Sequence, residues 1–248
     1  MTYCVAALVE EGIVFASDSR TSAGPDNIAM YSKMMVWEIV GDRVIVVLSS
    51  GNLATTQSVI SLLKMRSKDD TGAPLPTGVL GVKKMYEVAE LIGATLREVV
   101  NRERSVREHG VDIDCSFIMG GQIDHHTPRL FRIYPEGNFI EASPDTNFFQ
   151  IGETKYGKPI IDRVVRYQTP MKEVGKAFLV SFDSTMRSNL TVGLPIDLMA
   201  YERDSRKVTY KRRFNHGDAY FSKISGIWSA GLRRAFAEVP DVPWVEEA

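Results

Sequence analysis

Tyr3-Cys4-Val5-Ala6-Ala7-Leu8-Val9 runs into Glu10-Glu11-Gly12 and then into Ile13-Val14-Phe15-Ala16-Ser17. Two short, β-branched runs on either side of a polar, glycine-bearing turn read as an antiparallel hairpin. Residues 36–39 and 44–49 repeat the pattern around Val40-Gly41-Asp42-Arg43. Both segments of this second pair are mostly apolar, so the sheet is expected to be covered on both faces.

The period then changes. Residues 52–67 place Leu53, Ile60, Leu62 and Leu63 among polar residues and read as a helix. A Gly/Pro-rich loop over 71–78 leads to a longer helical stretch, about 82–109, with Val82, Met85, Val88, Ala89, Ile92, Leu96, Val99 and Val100 near a 3.6-residue repeat and Gly110 as its stop. Strands are expected at 113–119, 129–134 and 138–141, with Pro135-Glu136-Gly137 as a turn. Helices follow near 156–165 and 171–187, a strand pair at 196–201 and 207–211, and a last helix over 220–237 with Pro240 and Pro243 behind it. Strand runs alternating with helix pairs fit helices layered over antiparallel sheets better than a doubly wound parallel sheet. With no repeat, low-complexity segment or linker, residues 1–248 read as one domain with a helical extension from about 217.

Composition narrows the function classes. Of 248 residues, 44% are hydrophobic and 25% charged, an ordinary globular profile, and a net charge of −1 argues against general attraction to nucleic acid or an anionic membrane. No run approaches the roughly 20 apolar residues of a membrane span. The opening run lacks a preceding basic region and ends in Glu10-Glu11, unlike a signal peptide, so a cytoplasmic protein is expected. Cys4 and Cys115, both in apolar strand-like contexts, read as buried free thiols.

Thr2 follows Met1, and Met is generally removed before so small a residue, so the mature chain is expected to begin at Thr2. A terminal Thr joins a hydroxyl nucleophile to an α-amine of pKa about 8, which can take the hydroxyl proton at neutral pH. Many chains begin Met-Thr for no catalytic reason, so the surrounding residues decide.

Those residues carry a resemblance. Thr2 opens the first strand, Ser17-Asp18-Ser19-Arg20-Thr21-Ser22-Ala23-Gly24 ends the second, and Lys33 precedes the next. In that order they resemble the β-type subunits of the proteasome superfamily of N-terminal nucleophile hydrolases. The Thr2-to-Asp18 spacing of 16 matches that family, and the Asp18-to-Lys33 spacing of 15 is one shorter than usual. The Thr2-Tyr3-Cys4 opening, Asp26-Asn27-Ile28, the run Asp183-Ser184-Thr185-Met186-Arg187-Ser188-Asn189 and the final helix with Trp228 are similar to the bacterial Anbu, or ancestral β-subunit, family over nearly the whole chain.

The resemblance implies an α+β four-layer αββα sandwich, two antiparallel sheets between helix layers. It implies a threonine-dependent peptide hydrolase in a ring or helical homo-oligomer, acting on peptide or unfolded protein with no metal or organic cofactor. No nucleic-acid or membrane partner is implied, and an unfoldase is left unnamed. Thr2 would attack, Lys33 would lower the pKa of hydroxyl and amine, and Asp18 would hold Lys33. Arg20 would brace the loop after it. An oxyanion donor is expected at Ser50 or Gly51. Thr21, Tyr31, Met35, Leu48 and Asn52 map to a largely apolar pocket for the residue before the cut. The helix and tail over 228–244 are expected to add a subunit contact.

Two stretches depart from the family pattern. Ile151-Gly152-Glu153-Thr154 has Glu153 where Ser is expected, and Ser188 and Thr191 stand for an Asp and a Ser. Glu153, Ser188 and Thr191 are therefore supporting candidates with an altered charge distribution. A non-catalytic chamber subunit, or a small-amide hydrolase or acyl transferase using the same nucleophile, are the rival readings. Asp124-His125-His126 reads as a solvated turn rather than a metal site, and the basic runs at 102–104 and 203–213 as solvated faces or subunit contacts.

Overall fold

The computed structural model describes residues 2–22, 28–106 and 112–242. The first half of the chain forms β1 (Tyr3–Val9), β2 (Gly12–Asp18), β3 (Arg20–Ser22), β4 (Ile28–Met30), β5 (Met34–Ile39), β6 (Arg43–Gly51), α1 (Leu53–Met65) and α2 (Met85–Val106). The second half adds β7 (Cys115–Ile123), β8 (Arg129–Ile133), β9 (Phe139–Glu141) and β10 (Phe148–Gly152), and then α3 (Lys158–Val164) and α4 (Met171–Ser188). It ends with β11 (Ile196–Glu202), β12 (Tyr210–Phe214) and α5 (Ala219–Ala237).

Two five-stranded sheets result, ordered β10-β1-β2-β11-β12 and β5-β6-β7-β8-β9, with β3-β4 as a small separate ribbon. Every pairing is antiparallel. Three apolar clusters separate four layers. Ile45, Val47, Met119 and Phe131 face α1 and α2, and Val5, Val14 and Ala16 face α3 and α4. Cys4, Ala6, Phe15, Leu48 and Ile118 fill the space between the sheets. The αββα sandwich is the expected one.

The patterns explain the layers. β1 and β2 are buried at every position because one face meets the other sheet and the other face meets helices. Met85, Val88, Ala89, Ile92, Leu96, Val99 and Val100 form one buried stripe on α2. The Glu87 carboxylate accepts from the backbone N–H groups of Lys83 and Lys84 at 2.7 and 3.0 Å, satisfying donors at the start of α2. Asn52 Oδ1 caps α1 by accepting from Thr55 N–H at 3.1 Å.

Differences from the expected elements have local causes. β12 begins three residues late, at Tyr210, because Asp204 and Arg206 adopt φ of 63° and 47° and turn the chain before it can pair. β10 has no counterpart among the expected strands. It is five residues long and follows a turn-rich segment, and only its register against β1 reveals it.

Candidate active site

Five chain segments end together at one edge of the sandwich: the start of β1, the ends of β2, β6 and β10, and the entry to β5. β1 lies between β10 and β2, with Tyr3 opposite Gly152 and Cys4 opposite Ser17. Thr2 therefore sits one position beyond the last pairs and is only 9% exposed. Its carbonyl accepts from Glu153 N–H at 2.6 Å. That approach requires Gly152, whose φ is +81° and whose hypothetical Cβ would stand 2.0 Å from Thr2 O.

Asp18 and Lys33 meet beside Thr2. The Asp18 Oδ1 atom accepts from Tyr3 N–H at 3.0 Å and from Lys33 Nζ at 2.7 Å. Lys33 Nζ also donates to Arg20 O at 2.6 Å, so strand end and ribbon hold the ammonium together. Both side chains are buried. Burial pushes the Asp18 carboxyl above the ordinary carboxylate range, and the charge and hydrogen bond of Lys33, with that of Tyr3 N–H, work against the push. Asp18 Oδ2 and Ser17 Oγ, both buried, have no hydrogen-bond partner among the described residues.

On the other side of Thr2, Glu153 is buried and its Oε2 accepts from Asn189 Nδ2 at 2.9 Å. Asn189 Oδ1 in turn accepts from Thr191 N–H and Oγ1 at 3.0 and 2.6 Å. Glu153 and Thr191 thus belong to one hydrogen-bonded chain. Ser188 does not: it is exposed on the last turn of α4, and Asn189, which the sequence reading passed over, is the residue that turns inward. The signal was available in a polar residue just beyond an amphipathic helix, but its direction depends on where α4 stops.

Arg20 reaches the turn after α4, and the loop that it was expected to brace lies outside the described residues. Its Nη1 donates to Leu190 O at 2.9 Å, and the guanidinium lies against Gly193, linking the ribbon to the turn after α4. Ser50 and Gly51 close β6 at the site. Ser50 Oγ lies 2.9 Å from the point where a Cβ on Gly152 would stand, and Gly51 has φ of +110°.

The expected substrate pocket is not assembled as one wall. Met34 pairs with Leu48, and Met35 with Val47. Side chains alternate along a strand, so Leu48 joins Met34 in the intersheet core while Met35 packs toward the helices. Tyr31 is half-buried, and Asn52 commits its side chain to Thr55 N–H and, at 2.9 Å, to Asp112 O. The Thr21 side chain, Met1, and residues 23–27, 107–111 and 243–248 lie outside the described residues.

Cys4, in the strand behind Thr2, is fully buried. Burial, with the nearby Asp18 charge, pushes its thiol well above the ordinary value, and Sγ points to Ser49 O at 3.5 Å. Burial likewise raises Cys115 to about 12. Both cysteines are free thiols. His125, in the turn after β7, is exposed and hydrogen-bonds Arg206. Among the described residues no group of His, Cys, Asp and Glu could hold a metal ion, and no helix is long and apolar enough to cross a membrane.

No protein-family model and no curated protein matches the chain. Solved structures do. Anbu (ancestral beta-subunit) from Yersinia bercovieri is 47% identical, with 98% of this chain and 100% of that chain covered and a TM-score of 0.90. Anbu from Hyphomicrobium sp. strain MC1 is 49% identical, with coverages of 98% and 100% and a TM-score of 0.89. The helical assembly of the Anbu complex from Pseudomonas aeruginosa is 48% identical, with 98% of each chain covered and a TM-score of 0.91.

Proposed function

This chain belongs to the Anbu family of proteasome-like ancestral β-subunits, and on that premise we propose that it is a threonine-dependent peptide hydrolase working in a homo-oligomer. The observation that carries the reading is the buried Lys33–Asp18 pair, 2.7 Å long, anchored through Tyr3 N–H to the residue that follows Thr2.

With Met1 removed, Thr2 Oγ attacks the substrate carbonyl carbon while its α-amine takes the hydroxyl proton. The tetrahedral intermediate then collapses, the C–N bond breaks, and the ammonium returns that proton to the leaving amine. Water hydrolyses the resulting ester and frees Thr2. Lys33 supplies a fixed positive charge that lowers the hydroxyl and amine pKa, and Asp18 keeps it charged and aimed. Gly51 N–H serves the oxyanion better than Ser50 N–H. Strand amides alternate sides, and Ser49 N–H donates to Lys33 O while Asn52 N–H donates to Asp114 O. Gly51 N–H therefore points to the Lys33 side, beyond the start of β5.

Glu153, oriented by Asn189 and Thr191, places negative charge near the amine and offsets the missing acidic residue at the end of α4. The substrate is a peptide or unfolded protein, and the expected compartment is the cytoplasm. The helical assembly of the Pseudomonas aeruginosa relative supports self-association here. α5 is the proposed contact, since Ile227, Leu232 and Phe236 are 62%, 53% and 80% exposed.

Intact-mass spectrometry after incubation with a peptide epoxyketone tests the reading, because that probe needs both the amine and the hydroxyl of one terminal Thr. A Met-less chain bearing one adduct, absent in Thr2→Ala, supports it. An unmodified chain that keeps Met1 overturns it in favour of a chamber subunit.

A further inference from the structure

Ser32, directly before Lys33, donates its hydroxyl to Asp197 Oδ2 at 3.2 Å, with a further contact to Met34 O at 3.3 Å. Asp197 lies in β11 and is 4% exposed. Arg213 of β12 stands opposite it in register and grips it with both arms, Nε on Oδ1 and Nη2 on Oδ2, each at 2.7 Å. On the other side Asp197 pairs with Ser17, the neighbour of Asp18. A second buried carboxylate therefore stands one strand over and one register position away from Asp18.

We propose that Arg213 is a positioning residue for the Lys33 ammonium, acting through Asp197 and Ser32. The inference rests on the reading of Lys33 as the charged partner of Thr2. Two consequences of the grip matter. First, a bidentate guanidinium fixes the carboxylate plane, so Oδ2 presents a stationary acceptor to Ser32. Among the described residues, the segment entering β5 is otherwise held by the β3–β4 ribbon, in which Met30 pairs with Arg20, by Tyr31 N–H donating to Ser19 O at 2.9 Å and by Ser49 N–H donating to Lys33 O at 3.0 Å, while the Met30 and Ser32 side chains are exposed. Second, Arg213 neutralises Asp197. The register turns the two carboxylates to opposite faces of the sheet, Asp197 with Met199 toward the other sheet and Asp18 with Ala16 toward the helices, so Asp197 reaches Lys33 through Ser32 and the backbone between them. Holding β11 to β12 does not require the pair, because the strands already share five register positions.

The experiment compares Arg213→Met, Arg213→Lys and Ser32→Ala with the parent as assembled protein, using the epoxyketone probe and crystal structures of each. At saturating probe the adduct rate is expected to fall about tenfold to a hundredfold in Arg213→Met and Ser32→Ala, with an unchanged half-saturating concentration, because a displacement near 1 Å suffices for that loss. Arg213→Lys should fall between them and the parent. In Arg213→Met crystals, Lys33 Nζ should leave hydrogen-bond reach of Asp18. An adduct rate within about twofold of the parent, or an undisplaced Lys33 Nζ, would overturn the proposal. Should Arg213→Met not fold, Ser32→Ala removes only a surface hydroxyl and decides the question alone. A parent that forms no adduct sinks the reading of Thr2, and the crystal comparison then still rules on the position of Lys33.

Discussion

Asp18 and Asp197 are two buried carboxylates on adjacent strands of one sheet, and their partners differ in kind. Asp197 has both oxygens taken by a guanidinium that reaches in from the surface, and it still serves Ser32. Asp18 has one oxygen shared by Lys33 and Tyr3 N–H, while the other has no partner among the described residues. A saturated carboxylate holds structure in place. An unsaturated one, paired with a compact ammonium whose third donor has neither Asp18 nor Arg20 O as its partner, keeps capacity for a reacting group. The difference separates the scaffold from the proposed chemistry within one register step.

The largest expected effect comes from breaking the Asp18 side. Lys33→Ala leaves Asp18 buried without its cation and should abolish adduct formation and lower unfolding free energy by about 3–5 kcal/mol, measured by urea denaturation. Asp18→Asn keeps an acceptor for Tyr3 N–H, so the adduct rate should fall about a hundredfold with a smaller stability change.

Gly152→Ala attacks the same site through the backbone. Its Cβ would meet Thr2 O at 2.0 Å with φ at +81°, so a cost of about 1–3 kcal/mol and a misplaced Thr2 are expected. A normal melting temperature with normal adduct formation would show that the β1–β10 approach is dispensable.

The pH dependence sharpens the contrast. Asp18 is raised in the folded state, so its protonation favours folding. That contribution is fully present below the unfolded carboxyl pKa and is lost as pH rises through the raised folded value. The proposed activity runs the opposite way, because in that reading the ionised carboxylate holds Lys33. The adduct rate should therefore fall on acidification at a pH above the ordinary Asp value of about 4, and Asp18→Asn should remove that limb from the pH–rate profile.

The smallest effect on the single chain is expected at α5. Phe236→Glu should change its unfolding free energy by less than about 0.5 kcal/mol, since the ring is 80% exposed. It should nevertheless reduce assembly size in analytical ultracentrifugation, and an unaltered assembly would remove α5 from the proposed contact.

Much of this architecture was legible in residue pattern. The first hairpin, the 3.6-residue stripe of α2 and the strand–helix order need only short-range periodicity, and they led to the sandwich. That Asp18 and Lys33 meet next to the start of β1 was expected from the family resemblance that their order along the chain carries. Asn189 was not, since its inward turn depends on α4 ending at Ser188 with Asn189 as its C-cap. The division between Met35 and Leu48 was not either, because β5–β6 register sends them to opposite faces. Nor was β10, whose five residues acquire meaning only when β1 lies beside them.

The sequence by itself determined most of the elements, their order and the residue types able to do threonine chemistry, because these follow from local periodicity and side-chain chemistry. Only the tertiary structure decided that five segment ends meet, that Gly152 lets Glu153 reach Thr2, and that Asp18 and Asp197 take different cations. Those outcomes depend on register and close approach between residues far apart in sequence, such as Asp18 and Ile196, 178 positions apart, and no local pattern encodes such distances.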